Sequence, residues 1–104
     1  MEITWLGHGM FQFRLPSGQV ILMDAWTDGN PAYPKEHEIS RVDTLCITHG
    51  HFDHIHDAVP LAQRFSPEVV GICETCHWLE SEAQLIQDLE TQVWPLEPGK
   101  TVEW

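Results

Sequence analysis

Positive charge is what this sequence has least of. Five Lys and Arg stand against 16 Asp and Glu in 104 residues, a formal net charge of −11. A surface that tracks nucleic-acid phosphates needs clustered lysines and arginines, so no nucleic acid is expected as a partner. An anionic membrane surface is disfavoured for the same reason. No apolar run approaches the roughly 20 residues of a membrane-spanning helix. The opening Met1-Glu2-Ile3-Thr4-Trp5 has neither the basic flank nor the apolar stretch of a secretory signal, so the expected location is cytoplasmic. Cysteine is sparse and odd in number, at 3, which does not suit a disulfide framework and reads as reduced thiols. Low-complexity tracts and internal repeats are missing too. What is present is 42% apolar residues, enough for a core, in a length that suits one domain over residues 1–104.

Histidine is in excess. There are 7, and His49, His51, His54 and His56 fall within eight consecutive positions. The segments around them read as strands and helices in a layered α/β order. Ile3–Leu6 is a short β-rich run, and Gly7-His8-Gly9 breaks it. Phe11, Phe13 and Leu15 alternate with polar neighbours, the period-2 pattern of a half-buried strand. Pro16-Ser17-Gly18 turns the chain into a returning strand, Gln19–Met23, which ends at Asp24. Residues 25–41 hold Gly29, Pro31 and Pro34 without sustained periodicity and read as loop.

Val42–Thr48 is a compact strand that delivers the chain into the histidines. Asp57 is placed to cap a helix over Ala58–Phe65, where Pro60 is tolerated in the first turn. Val69–Cys73 reads as a buried strand. Trp78, Leu79, Leu85, Ile86 and Leu89 mark one face of a following helix, with Glu80, Glu82, Asp88 and Glu90 on the other. Val93–Leu96 and Thr101–Trp104 read as strands around Pro98-Gly99.

In Thr48-His49-Gly50-His51-Phe52-Asp53-His54, an extended chain would point His49, His51 and Asp53 to one side. His54 breaks that phase and addresses a second point in space. Imidazole and carboxylate together suit Zn²⁺ first, with Mn²⁺ or Fe as alternatives. Three histidines and an aspartate at this spacing outweigh the reading of a merely solvated loop.

His49-x-His51-x-Asp53-His54 resembles the signature of the metallo-β-lactamase superfamily. Ile3-Thr4-Trp5-Leu6-Gly7-His8, the strand ending in Asp24, Val42-Asp43, Asp57-Ala58-Val59 and Pro98-Gly99-Lys100-Thr101-Val102 extend the likeness. The branch they resemble is the metal-dependent hydrolases similar to L-ascorbate-6-phosphate lactonase. The resemblance implies an αββα sandwich with a dinuclear metal site, of which this sequence reads as the N-terminal half. His49 and His51 would bind one ion, and Asp53 and His54 the second. Asp53 would carry the catalytic role, Asp24 would hold the histidine loop from behind, and His8 is a candidate substrate contact. Two ions about 3.5–4 Å apart would activate a bridging water, so no serine or cysteine nucleophile is needed. Histidine at position 51 departs from the His-x-Glu-x-Asp pattern of the superfamily's diiron flavoproteins, which favours hydrolysis over redox chemistry.

The resemblance places the family's remaining ligands in the second half of the fold, and His8, His37, His56 and His77 do not take their positions. The expected function is hydrolysis of an ester, lactone or phosphoester-type small molecule. The competing reading is a non-enzymatic metal-binding fragment. The expected partners are a small-molecule substrate and either a second copy of the chain or a C-terminal half. Cys73-Glu74-Thr75-Cys76-His77 has the C-x-x-C-H form of covalent haem attachment, but ordinary core cysteines are the preferred reading. His56 reads as solvated. Trp26 and Tyr33 are apolar candidates for a substrate entrance in the long loop, with packing of the loop as the alternative.

Overall fold

Six short strands in chain order make one mixed sheet in the computed structural model, which describes residues 1–83, 93–96 and 98–99. β1 (Glu2–Trp5), β2 (Phe11–Arg14) and β3 (Val20–Met23) form an antiparallel meander. β4 (Thr44–Ile47), β5 (Glu68–Ile72) and β6 (Val93–Leu96) then continue the sheet in parallel with β3. Between β4 and β5 lie α1 (Phe52–Ile55) and α2 (Ala58–Phe65), and α3 (Cys73–Ala83) follows β5. This is the α/β layering expected from the order of the apolar runs.

Alternation along the strands sorts the two faces of the sheet. Val20, Leu22, Leu45, Ile47 and Val69 point to the side covered by helices and join Leu6, Met10, Ala58, Leu61, Ala62 and Leu79 in the core. Both β3 and β4 read as nearly continuous apolar runs, as strands central to a parallel region should. The other face carries Ile3, Trp5, Phe11, Phe13, Ile21, Met23 and Ile72, and there Ile3 is 60% and Trp5 57% exposed.

Four expectations need correction. Asp57 precedes α2 but makes no capping bond to it, because its carboxylate is drawn into the long loop. It accepts from the backbone N–H of Thr27 and, at 3.0 Å, from the Thr27 hydroxyl. Cys73 does not close a strand; it opens α3, so the buried strand ends one residue earlier, at Ile72. Residues 52–55 form a helical turn where a loop was read. Finally, the helix drawn over Trp78 to Leu89 starts earlier, at Cys73, and Leu85, Ile86 and Leu89 lie outside the described residues, as does the strand read at Thr101–Trp104.

Sheet register decides where chemistry collects. Trp5 pairs with Phe11, Phe11 with Met23, and Met23 with Cys46. The turn at residues 6–10, Asp24 after β3 and the histidine loop after β4 therefore emerge at one edge. Residues more than forty positions apart in sequence become neighbours there.

Candidate metal centre

The edge is anchored by Asp24, which is 3% exposed and sits in the left-handed region at φ 53°. Its carboxylate accepts from the Thr48 N–H at 2.8 Å, from the Thr48 hydroxyl at 2.6 Å and from His54 Nδ1 at 2.8 Å. A hydroxyl that donates to Asp24 has only its lone pairs left, so at 2.9 Å it accepts from His49 Nδ1. One buried carboxylate thereby puts the proton of two imidazoles on Nδ1, directly for His54 and through Thr48 for His49. These tautomers follow from the hydrogen-bond network, and they leave both Nε2 lone pairs free to bind a metal.

His8 reaches the same place from the β1–β2 turn. Leu6 N–H donates to Met10 O and Met10 N–H to Gly7 O, closing a tight loop that holds His8 at φ 54°. His8 Nε2 lies 2.6 Å from Asp53 Oδ2, and His54 Nε2 lies 3.5 Å from the same oxygen. One donor atom each from His8, Asp53 and His54 falls within 4.8 Å of the other two. His49 lies beside this group, its ring tilted to His54 at 4.0 Å between centroids and edge-on to His51 at 4.6 Å. Gly9 makes the closeness tolerable, because a Cβ there would sit 2.6 Å from His54 Cε1.

All the expected site residues are thus at one edge, but not for the reason given by strand alternation. β4 stops at Ile47, and Asp53 is carried by the α1 turn, so loop and helix geometry bring it to the histidines. Burial works against the charge of Asp53. The His8 hydrogen bond, the residue's own N–H and the nearby His54 and His8 outweigh it, holding the carboxyl below its ordinary range. Nitrogen and carboxylate donors converging from both sides fit a borderline divalent ion such as zinc. Among the described residues, Cys73, Cys76 and His77 form no comparable group. Burial pushes the Cys76 thiol up to about 11, with Glu80 and Cys73 adding to it, as suits a core cysteine.

Of the loop aromatics, Trp26 stands at the rim of the site. It meets His8 edge-on at 5.2 Å and Phe52 at 5.5 Å. Tyr33 instead packs the loop against the core, its hydroxyl on His37 O. His56 is exposed, with Nδ1 at 3.4 Å from Asp57. Two supporting residues carry no motif and were not read from the sequence. Asn30, buried in the long loop, donates to the carbonyls of Gly7 and Trp26 and accepts from Ala32 N–H. Thr48 relays Asp24 to His49. A polar residue between a buried strand and a candidate ligand histidine is the signal that could have found it.

An imidazole and carboxylate cluster thus lies at the edge of a mixed sheet, beyond the ends of its parallel strands. A family model described as Beta-lactamase superfamily domain matches residues 19–104, and the chain belongs to that family. Among its relatives, a UPF0173 metal-dependent hydrolase of Solibacter usitatus is 78% identical over 82 residues, covering 79% of this chain and 36% of the relative. Another UPF0173 metal-dependent hydrolase, from Rubrobacter xylanophilus, is 38% identical over 101 residues, covering 96% of this chain and 39% of the relative. The fold matches that of Igni18, a metallo hydrolase from Ignicoccus hospitalis, with a TM-score of 0.71 at 24% identity, over 97% of this chain and 41% of Igni18. The chain therefore spans well under half the length of these proteins, and its fold matches one part of Igni18.

Proposed function

We propose that this chain supplies the metal-binding edge of a metal-dependent hydrolase that cleaves an ester, lactone or phosphoester-type bond in a small molecule. The observation that carries the reading is the convergence of His8, Asp53 and His54 within 4.8 Å, with the His49 ring 4.0 Å from His54 and His51 edge-on to His49. His49 and His51 would hold one divalent ion, and Asp53 and His54 a second, with zinc the first choice and manganese or iron the alternatives. When bound, such ions polarise the scissile group and lower the pKa of a coordinated water, so no side-chain nucleophile is needed. Asp24 and Thr48 keep the Nε2 lone pairs of His54 and His49 facing the site. His8 orients Asp53 by donating its Nε2–H at 2.6 Å, and from that position its ring is a candidate substrate contact. The −11 charge supports a small-molecule substrate in place of nucleic acid or an anionic membrane.

Metal titration tests the reading. Two ions per chain at high affinity are expected, with His49→Ala or His51→Ala lowering affinity by well over the tenfold typical of indirect partners. Asp53→Asn should leave about one ion and, in a protein with measurable turnover, cost at least about 10²-fold in kcat, roughly 2.7 kcal/mol. One weakly held ion, indifferent to these changes, would identify a metal-binding fragment without hydrolytic function.

A further inference from the structure

Beside the histidine loop, at the same edge of the sheet, lies a cleft of about 240 Å³ lined by Gly50, Ile55, Glu74, Thr75 and Trp78. Gly50 is the residue between His49 and His51, and Ile55 directly follows His54, so the cleft opens next to the metal-ligating side chains. Its opposite wall is the first two turns of α3. Glu74 and Trp78 are four residues apart there, which puts them on one helix face. Both are exposed, the Trp78 side chain at 37%. Among the described residues, no lysine, arginine or histidine pairs with Glu74. Among the described residues, no cationic side chain lines the cleft.

We infer that this cleft is the subsite for an organic cation, a primary ammonium or similar group on a short apolar stem, carried by the substrate. The inference rests on the hydrolase reading for its place in catalysis, but the binding chemistry stands on the cleft alone. Ile55 and the Trp78 ring offer apolar contact to the stem. The indole face and the Glu74 carboxylate both attract a cation, and the surrounding negative charge of the chain steers one inward. An anionic group would meet the Glu74 carboxylate, which no lysine, arginine or histidine pairs among the described residues. The volume is below the roughly 300–1,000 Å³ of drug-sized sites, so it suits one small side group and not a whole cofactor. With the cation seated there, the rest of the substrate extends past Gly50 towards His49, Asp53 and His54, where the bond to be cleaved would lie.

Glu74 also sits in the first turn of α3, where a carboxylate favours the helix by its dipole alone. Calorimetric titration with n-butylammonium chloride, against sodium butyrate and 1-butanol at fixed ionic strength, separates the two roles. Butylammonium is expected to bind saturably and butyrate not at all. Glu74→Gln should weaken butylammonium binding by about three- to fivefold, the scale of an exposed charge pair, while zinc affinity stays that of the parent. Trp78→Leu should weaken butylammonium and 1-butanol together. Equal binding of butyrate and butylammonium would overturn the inference, as would an unchanged affinity in Glu74→Gln. A loss of zinc and butylammonium together in Glu74→Gln would also overturn it, making Glu74 a prop of the metal loop. A parent that binds butylammonium but no zinc would sink the hydrolase reading and leave the cation subsite standing.

Discussion

Replacing Asp24 by asparagine changes the site through two proton positions while leaving the size of the side chain almost unchanged. The amide oxygen can still accept from the Thr48 N–H, now at 2.8 Å. The amide nitrogen then faces the Thr48 hydroxyl and His54 Nδ1, at 2.6 and 2.8 Å, where donors now point at a donor. Relief requires His54 to accept at Nδ1 and carry its proton on Nε2. The Thr48 hydroxyl must likewise turn, accept from the new amide and donate to His49 Nδ1, which moves the His49 proton to Nε2 as well. Both Nε2 lone pairs proposed to bind metal are lost unless the network breaks. Losing an outer partner typically costs 10–100-fold in metal affinity, about 1.4–2.7 kcal/mol, and with two ligands affected the upper end is expected here. Folding should lose less, about 1–2 kcal/mol, because neutral bonds replace charge-assisted ones at a buried position. For a chain of this size that lowers Tm by about 4–8 °C per kcal/mol. Zinc titration and a thermal melt on the same sample check both figures, and ¹⁵N shifts of the histidine rings report the tautomers. An Asp24→Asn protein that melts cooperatively and binds zinc within about twofold of the parent would refute the relay.

Gly9→Ala should lower zinc affinity at least about tenfold, because the new methyl lies 2.6 Å from His54 Cε1 and 3.1 Å from Nδ1; unchanged binding in calorimetry would show that the turn yields instead. Burial opposes the charge of Asp43, but the Val20 N–H and the Arg41 guanidinium hold its carboxyl below the usual value, so its stabilisation is complete above the unfolded pKa and is lost as pH falls through the folded one. Denaturant melts should therefore show Asp43→Asn less stable than the parent at pH 7, with the gap closing below about pH 4; a pH-independent gap would contradict this. The sheet face bearing Ile3 and Trp5, more than half exposed, should make the 104-residue chain bind a hydrophobic dye or self-associate at micromolar concentration, and Trp5→Ser should reduce either effect. A dye-silent, monodisperse monomer in sedimentation would count against an open face.

Much of this protein could be read from its sequence because the signals are local. Period-2 alternation marked β2, a continuous apolar run marked β4, and the crowding of His49, His51, Asp53 and His54 marked the candidate site, since each pattern lies within a few residues of chain. The resemblance to a known family supplied what local pattern could not, including a role for Asp24. Helix capping misled at Asp57: a carboxylate suited to a cap can bond any N–H that tertiary structure brings closer, and Thr27, thirty residues back, was brought closer. Strand periodicity also gave the wrong reason for Asp53, because alternation holds only while a partner strand keeps the chain extended, and pairing ends at Ile47.

What only the fold decided is which distant groups meet. The register that aligns Trp5, Phe11, Met23 and Cys46 puts His8 against Asp53 and Asp24 against Thr48 and His54. The placement of α3 alongside Gly50 makes a cleft from residues with no motif of their own. Sequence determined the kinds of donor available, because chemistry belongs to side chains. Tertiary structure decided their protonation and their neighbours, because a tautomer is set by whatever lies a hydrogen bond away, and here that partner comes from another strand.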